Sequence, residues 1–213
     1  MEHKESPEES FNQAQLLKNS SMFYLCIGAV GLMVSYFHHD NMARSWALSS
    51  PDYANWEVIS LGLLTAGVLA VMAYLFEDFF PSYRALKRVM VGLMGRMTWP
   101  GAIYLALLSA VSEEILFRTA IQPSAGVVLT AALFAVLHLG PAQQFGVWAL
   151  IAFLSGLVFG WTYEATGLIL PSLIGHILVN LISFWRFRIS FQKAKKRAEK
   201  KEGLSPDAPR GVK

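Results

Sequence analysis

Six stretches of this sequence approach twenty residues of nearly unbroken apolar character, at roughly 20–37, 57–76, 99–121, 124–140, 145–163 and 167–185. A helix rises about 1.5 Å per residue, so about 20 residues cross the ~30 Å hydrocarbon core of a bilayer. Six such stretches in 213 residues leave too little polar chain to cover them in water. Alternation at period two is absent, which argues against a membrane β-barrel. The expected fold is therefore all-α: a polytopic transmembrane bundle of about six helices. Charge content agrees, at 15% against about 25% for an ordinary soluble domain. The pI near 9.0 raises nucleic acid as a partner. However, the basic residues stand in blocks at the ends of apolar runs, a pattern of membrane topology rather than of groove binding. The partners expected are the lipid bilayer and whatever it carries, and no nucleic acid.

Lysine and arginine set the orientation. The segment after Trp185 holds Arg186, Arg188, Lys193, Lys195, Lys196, Arg197, Lys200 and Lys201, which assigns it to the cytoplasm. Six crossings return the N-terminus, with Lys4 and Lys18, to the same side. The link carrying Arg84, Lys87, Arg88 and Arg96 also falls inside, giving N-in, C-in. Residues 1–19 read as a polar cytoplasmic start, too acidic for a cleaved signal peptide. Residues 20–98 read as two membrane helices plus a basic, apolar stretch (79–97) suited to the inner interface. Residues 99–185 form a core of four helices, and 186–213 a basic tail that is disordered toward its end. Cys26, alone in an apolar run, offers neither a disulfide nor a cysteine metal site. Reporter fusions test the topology: Asp40 is expected outside, Gly140 and the tail inside. A tail found outside overturns the assignment.

Ionisable residues inside membrane spans cost about 2.5–3.5 kcal/mol each on insertion scales, so each is a functional candidate. They cluster in the second half of the chain. The third stretch reads LSAVSEEILFR, with Glu113, Glu114 and Arg118; the fourth contains His138; the sixth contains His176 and Asn180. Glu114 and Arg118 are four residues apart and form an ion pair on one helix face. Glu113 is turned about 100° away and lacks that partner. Glu114 and Arg118 thus take a structural role, and Glu113 the reactive one. His176 and Asn180 are again four apart and share a face. Phe134 stands one turn before His138 and reads as a core or lipid-facing residue. Gly156 and Gly160, one turn apart, provide for close helix packing.

With a turn near Gln122 and Pro123, helix rise places Glu113 about 14 Å and His138 about 23 Å from the outer side. His176 and Asn180 fall at about 14 and 20 Å by the same rise. Side chains lean toward their helix N-termini, which narrows the gap between Glu113 and His138. All four residues converge in the middle or inner half of the bilayer. Several chemistries suit that set. A carboxylate beside a histidine takes a proton from water, and a histidine and an asparagine donate to the oxyanion that forms. One carboxylate and two imidazoles, Glu113, His138 and His176, also make a zinc set with an open position for water. A hydrogen-bonded packing network, or part of a transport path, uses the same residue types.

At these residues the sequence resembles the CPBP intramembrane protease family, also called the ABI or type II CAAX prenyl protease family. Its motifs EExxxR, FxxxH and HxxxN stand here in order as Glu113-Glu114 to Arg118, Phe134 to His138, and His176 to Asn180. The resemblance covers roughly residues 99–185 and leaves the first two helices unmarked. It implies an endopeptidase of a membrane-associated protein, acting on C-terminal or sorting signals. Glu113 and His138 would activate water, while His176 and Asn180 hold the oxyanion. The family has been described both as metal-free glutamate proteases and as metalloproteases. No cofactor is expected here, because asparagine is an uncommon zinc ligand and a good oxyanion donor; zinc on Glu113, His138 and His176 is the alternative. The expected location is the bacterial cytoplasmic membrane. The competing function is a catalytically silent scaffold or bacteriocin-immunity protein of the same fold.

Overall fold

The computed structural model describes residues 11–38, 47–140 and 144–202. The far N-terminus and the tail end read as disordered lie outside these. Among the described residues seven α-helices follow in order: α1 (Gln13–His38), α2 (Asn55–Phe79), α3 (Pro81–Met94), α4 (Trp99–Glu114), α5 (Gln122–Val136), α6 (Gln144–Thr166) and α7 (Ile169–Glu202). A π-helical stretch, Ile115–Ile121, joins α4 to α5. The all-α bundle expected from the sequence is the observed architecture. Among the described residues five helical segments are long and apolar enough to cross a membrane: Gln13–Phe37, Asn55–Phe79, Trp99–Val136, Phe145–Thr166 and Ile169–Lys200. Their outward faces carry large apolar side chains such as Phe23, Leu63, Leu64 and Leu129, all exposed. Such a girdle is a surface for lipid rather than water. The chain is a multi-pass integral membrane protein.

The third of these segments is not one rod. Phe117 and Phe134 are 17 residues apart, which on a straight helix means about 25 Å. Their rings instead meet edge to face with centroids 4.9 Å apart. The reversal lies at Gly126, whose φ of 73° is open to glycine and strained for other residues. This corrects the turn expected at Gln122-Pro123, where Pro123 simply occupies the first turn of α5. It also corrects the fourth span. From Val127 to Val136 the returning arm is about 15 Å long, half a hydrocarbon core.

Local sequence explains the helix starts. Thr98 caps α4 by accepting from the Gly101 amide at 3.4 Å. Gln13 clamps that cap to the start of α1, accepting from the Thr98 amide at 2.8 Å and donating to its hydroxyl at 3.0 Å. Glu57 reaches back to the Ala54 amide at 2.8 Å to open α2. At the opposite end of the bundle, the Ile169 amide donates to Ala47 and the Tyr53 hydroxyl to Ala165. The start of α1 and the basic half of α7 thus share one end, since Arg188 donates to the Met97 carbonyl beside Thr98. The helix α7 runs 34 residues, well beyond the membrane stretch ending at Trp185, so the basic segment continues as helix to Glu202.

The interfacial stretch forms α3, which is amphipathic and buries Leu86 and Met90. Its neighbours are α6 and α7. Glu77, at the end of α2, pairs with Lys87 of α3 at 2.5 Å and also with Arg186 of α7. One carboxylate therefore ties three helices together where they leave the membrane.

Candidate active site

The polar residues singled out above gather around a cavity of about 240 Å³ inside the bundle. Glu113, His138, His176 and Asn180 all line it. Phe134 is a core residue, as one of its two expected roles had it, rather than lipid-facing, and it lines the cavity too: it packs on His138 with ring centroids 4.5 Å apart and edge-on to His176. The far wall is apolar, with Leu69, Leu86, Met90 and Phe184, and Lys87 stands among the residues of α3 that line it.

The glutamates face different neighbours, as their 100° separation requires. Glu114 is 1% exposed and lies 3.6 Å from Arg118, itself fully buried. The guanidinium also donates to Gln122 at 2.6 Å and to the Gly156 carbonyl. Gln122 in turn donates to the Gly160 carbonyl at 2.8 Å. A Cβ on Gly160 would stand 2.8 Å from the Arg118 guanidinium, and one on Gly156 3.1 Å from Ala131. The two glycines thus admit α5 and a buried cation against α6. Glu114 does more than hold Arg118: it accepts from Nδ1 of His176 at 2.9 Å. A carboxylate there fixes Nδ1 as a donor and directs Nε2 into the cavity. Phe159 stacks on the same imidazole, 4.7 Å between centroids and 17° from parallel.

Glu113 approaches Nε2 of that ring, at 3.4 Å. His138 sits just past the end of α5, where the last carbonyls lack helical partners. Its Nδ1 donates to the Phe134 carbonyl at 2.7 Å, which leaves Nε2 as the ring's remaining acceptor. The FxxxH spacing is therefore a helix terminus using its own orphan carbonyl to orient an imidazole. Asn180 donates through Nδ2 to the Ser109 hydroxyl at 3.1 Å, and that hydroxyl donates to the Ala106 carbonyl. The serine fixes which end of the amide is the nitrogen and leaves a second N–H.

Residues 95–182 match the family model described as type II CAAX prenyl endopeptidase Rce1-like. That match contains all three motifs and the reversal at Gly126, and it begins just before α4. The chain is also similar to a Bacillus subtilis (strain 168) protein named "Uncharacterized protein YpbD". The two are 23% identical over 163 residues, which is 74% of this chain and 86% of that protein. No solved structure matches.

Glu113 and His176 stand at a spacing two ligands of one ion would have. Yet among the described residues no group of three His, Cys, Asp or Glu side chains assembles to hold a metal. Sequence reasoning missed Ser109, Gln122 and Phe159. Ser109 precedes Glu113 by four residues and Gln122 follows Arg118 by four, so helical spacing carried a signal for both. Nothing in the sequence pointed to Phe159.

Proposed function

We propose that this protein is an intramembrane endopeptidase that hydrolyses a peptide bond of a membrane-associated protein, and that it works in the bacterial cytoplasmic membrane. The convergence of Glu113, His138, His176 and Asn180 on one cavity inside an Rce1-like bundle carries the reading. Water bound between Glu113 and the free Nε2 of His138 gives its proton to the carboxylate as its oxygen attacks the carbonyl carbon. The tetrahedral oxyanion accepts from the second N–H of Asn180, aimed by Ser109, and, when both ring nitrogens of His176 carry protons, from its Nε2–H, aimed by Glu114. Collapse breaks the C–N bond, and the proton held by Glu113 passes to the leaving amine. The apolar wall accommodates a lipid-embedded substrate segment and excludes bulk water, which strengthens each of these interactions.

The test uses purified protein in vesicles with membrane-anchored fluorogenic peptides. Asn180→Ala is expected to lower kcat about 10²- to 10³-fold with little change in KM, as loss of one oxyanion donor does. Wild-type activity should persist without stoichiometric metal. Activity that vanishes with chelator and returns in proportion to added zinc would sink the metal-free version.

A further inference from the structure

A second hollow, about 380 Å³, opens between the α3–α4 link and α7, away from the cavity of Glu113. Its lining is Gly95, Arg96, Arg188, Phe191, Gln192 and Lys195. The Arg96 guanidinium lies over the Phe191 ring, 5.5 Å from its centroid. Arg188 lies over Trp99, at 5.7 Å, and donates to the Met97 carbonyl. Gly95 permits the close approach: a Cβ there would meet Phe191 at 2.6 Å and the Val91 carbonyl at 2.5 Å. The hollow is therefore a feature of helix packing and not of loose side chains.

Its placement and register narrow the ligand. Trp99 opens α4 and marks where the chain enters the membrane, so the hollow lies at headgroup depth. On α7, Arg188, Phe191, Gln192 and Lys195 fall within an arc of about 100° at 3.6 residues per turn. Lys193 and Arg197 project from the other side of the same helix. The basic half of α7 thus presents one set of cations to the α3–α4 link and another to solvent. Three cations and an amide around a cleft of this size suit a phosphate group. At this depth the available source is a headgroup.

We infer that Arg96, Arg188 and Lys195 bind the phosphate of an anionic phospholipid from the leaflet at this end of the bundle. Occupancy ties the end of α3 to α7, and α3 is also a wall of the catalytic cavity. The binding itself does not depend on the proposed protease activity.

The full chain, reconstituted in phosphatidylcholine vesicles, is titrated with fluorescent phosphatidylglycerol. Saturable binding is expected, weakened about fivefold for each charge removed in Arg96→Gln/Lys195→Gln. Lys193→Gln/Arg197→Gln removes the same charge from the opposite side and should leave binding unchanged. Should Arg96→Gln fail to accumulate, Lys195→Gln against Lys193→Gln makes the same comparison. Equal loss in both sets overturns the site, since it would reflect diffuse surface charge. Inorganic phosphate is the parallel arm in phosphatidylcholine alone. Saturation there at matching affinity overturns the lipid assignment in favour of a soluble anion.

Discussion

Replacing Glu113 with glutamine is expected to abolish peptide cleavage, by about 10²- to 10⁴-fold or more, while the protein still accumulates and keeps its melting temperature. The separation of effects follows from where the carboxylate sits. Glu113 faces the cavity and Nε2 of His176, and the ion pair that holds the bundle is made by its neighbour. Glutamine keeps the volume and a hydrogen-bonding end but cannot take a proton from water. Glu113→Asp provides a graded version: it withdraws the carboxylate by about one methylene, and a displacement of about 1 Å costs on the order of 100-fold. Cleavage rate and thermal denaturation measured on the same preparations decide the matter. Full activity in Glu113→Gln would remove the residue from the mechanism.

The polar cluster was legible because intramembrane charges are expensive and helical spacing sorts them. Glu114 with Arg118, and Glu113 facing elsewhere, could be read from four-residue separation alone. The path of the backbone could not. Pro123 looks like a turn signal, yet proline fits the first turn of a helix, and the reversal falls instead on Gly126. Hydropathy counts apolar residues without sensing where a helix stops, so α5 was read as a full crossing rather than a half-length arm. The π-helical stretch, which re-aims the residues between Glu114 and Gln122, leaves no periodic mark in seven residues. The orientation of His176 was hidden for a different reason. It depends on Glu114, 62 residues away, and on the face of Phe159, and both contacts exist only after the helices pack.

Glu114→Gln is expected to act in the opposite way to Glu113→Gln, through stability first. Arg118 is fully buried and Glu114 is the carboxylate beside it, 3.6 Å away. Removing one partner of such a pair strands the other charge, a loss of about 3–5 kcal/mol by comparison with broken buried pairs. Gln122 and the Gly156 carbonyl still accept from the guanidinium, but neither carries charge to offset it. Low accumulation and early thermal denaturation are the expected signatures. The glutamine oxygen still accepts from Nδ1 of His176, so any surviving protein should retain part of its activity. A second substitution isolates the cause. If the stranded cation is responsible, Glu114→Gln/Arg118→Met should be more stable than Glu114→Gln alone, because it removes both charges and keeps the side-chain bulk. Should the double variant be no better than the single, the loss would belong to the contact with His176, and Glu114 would be chiefly the residue that aims that ring. Equal stability of Glu113→Gln and Glu114→Gln, with cleavage lost only in the latter, would exchange the roles of the two glutamates.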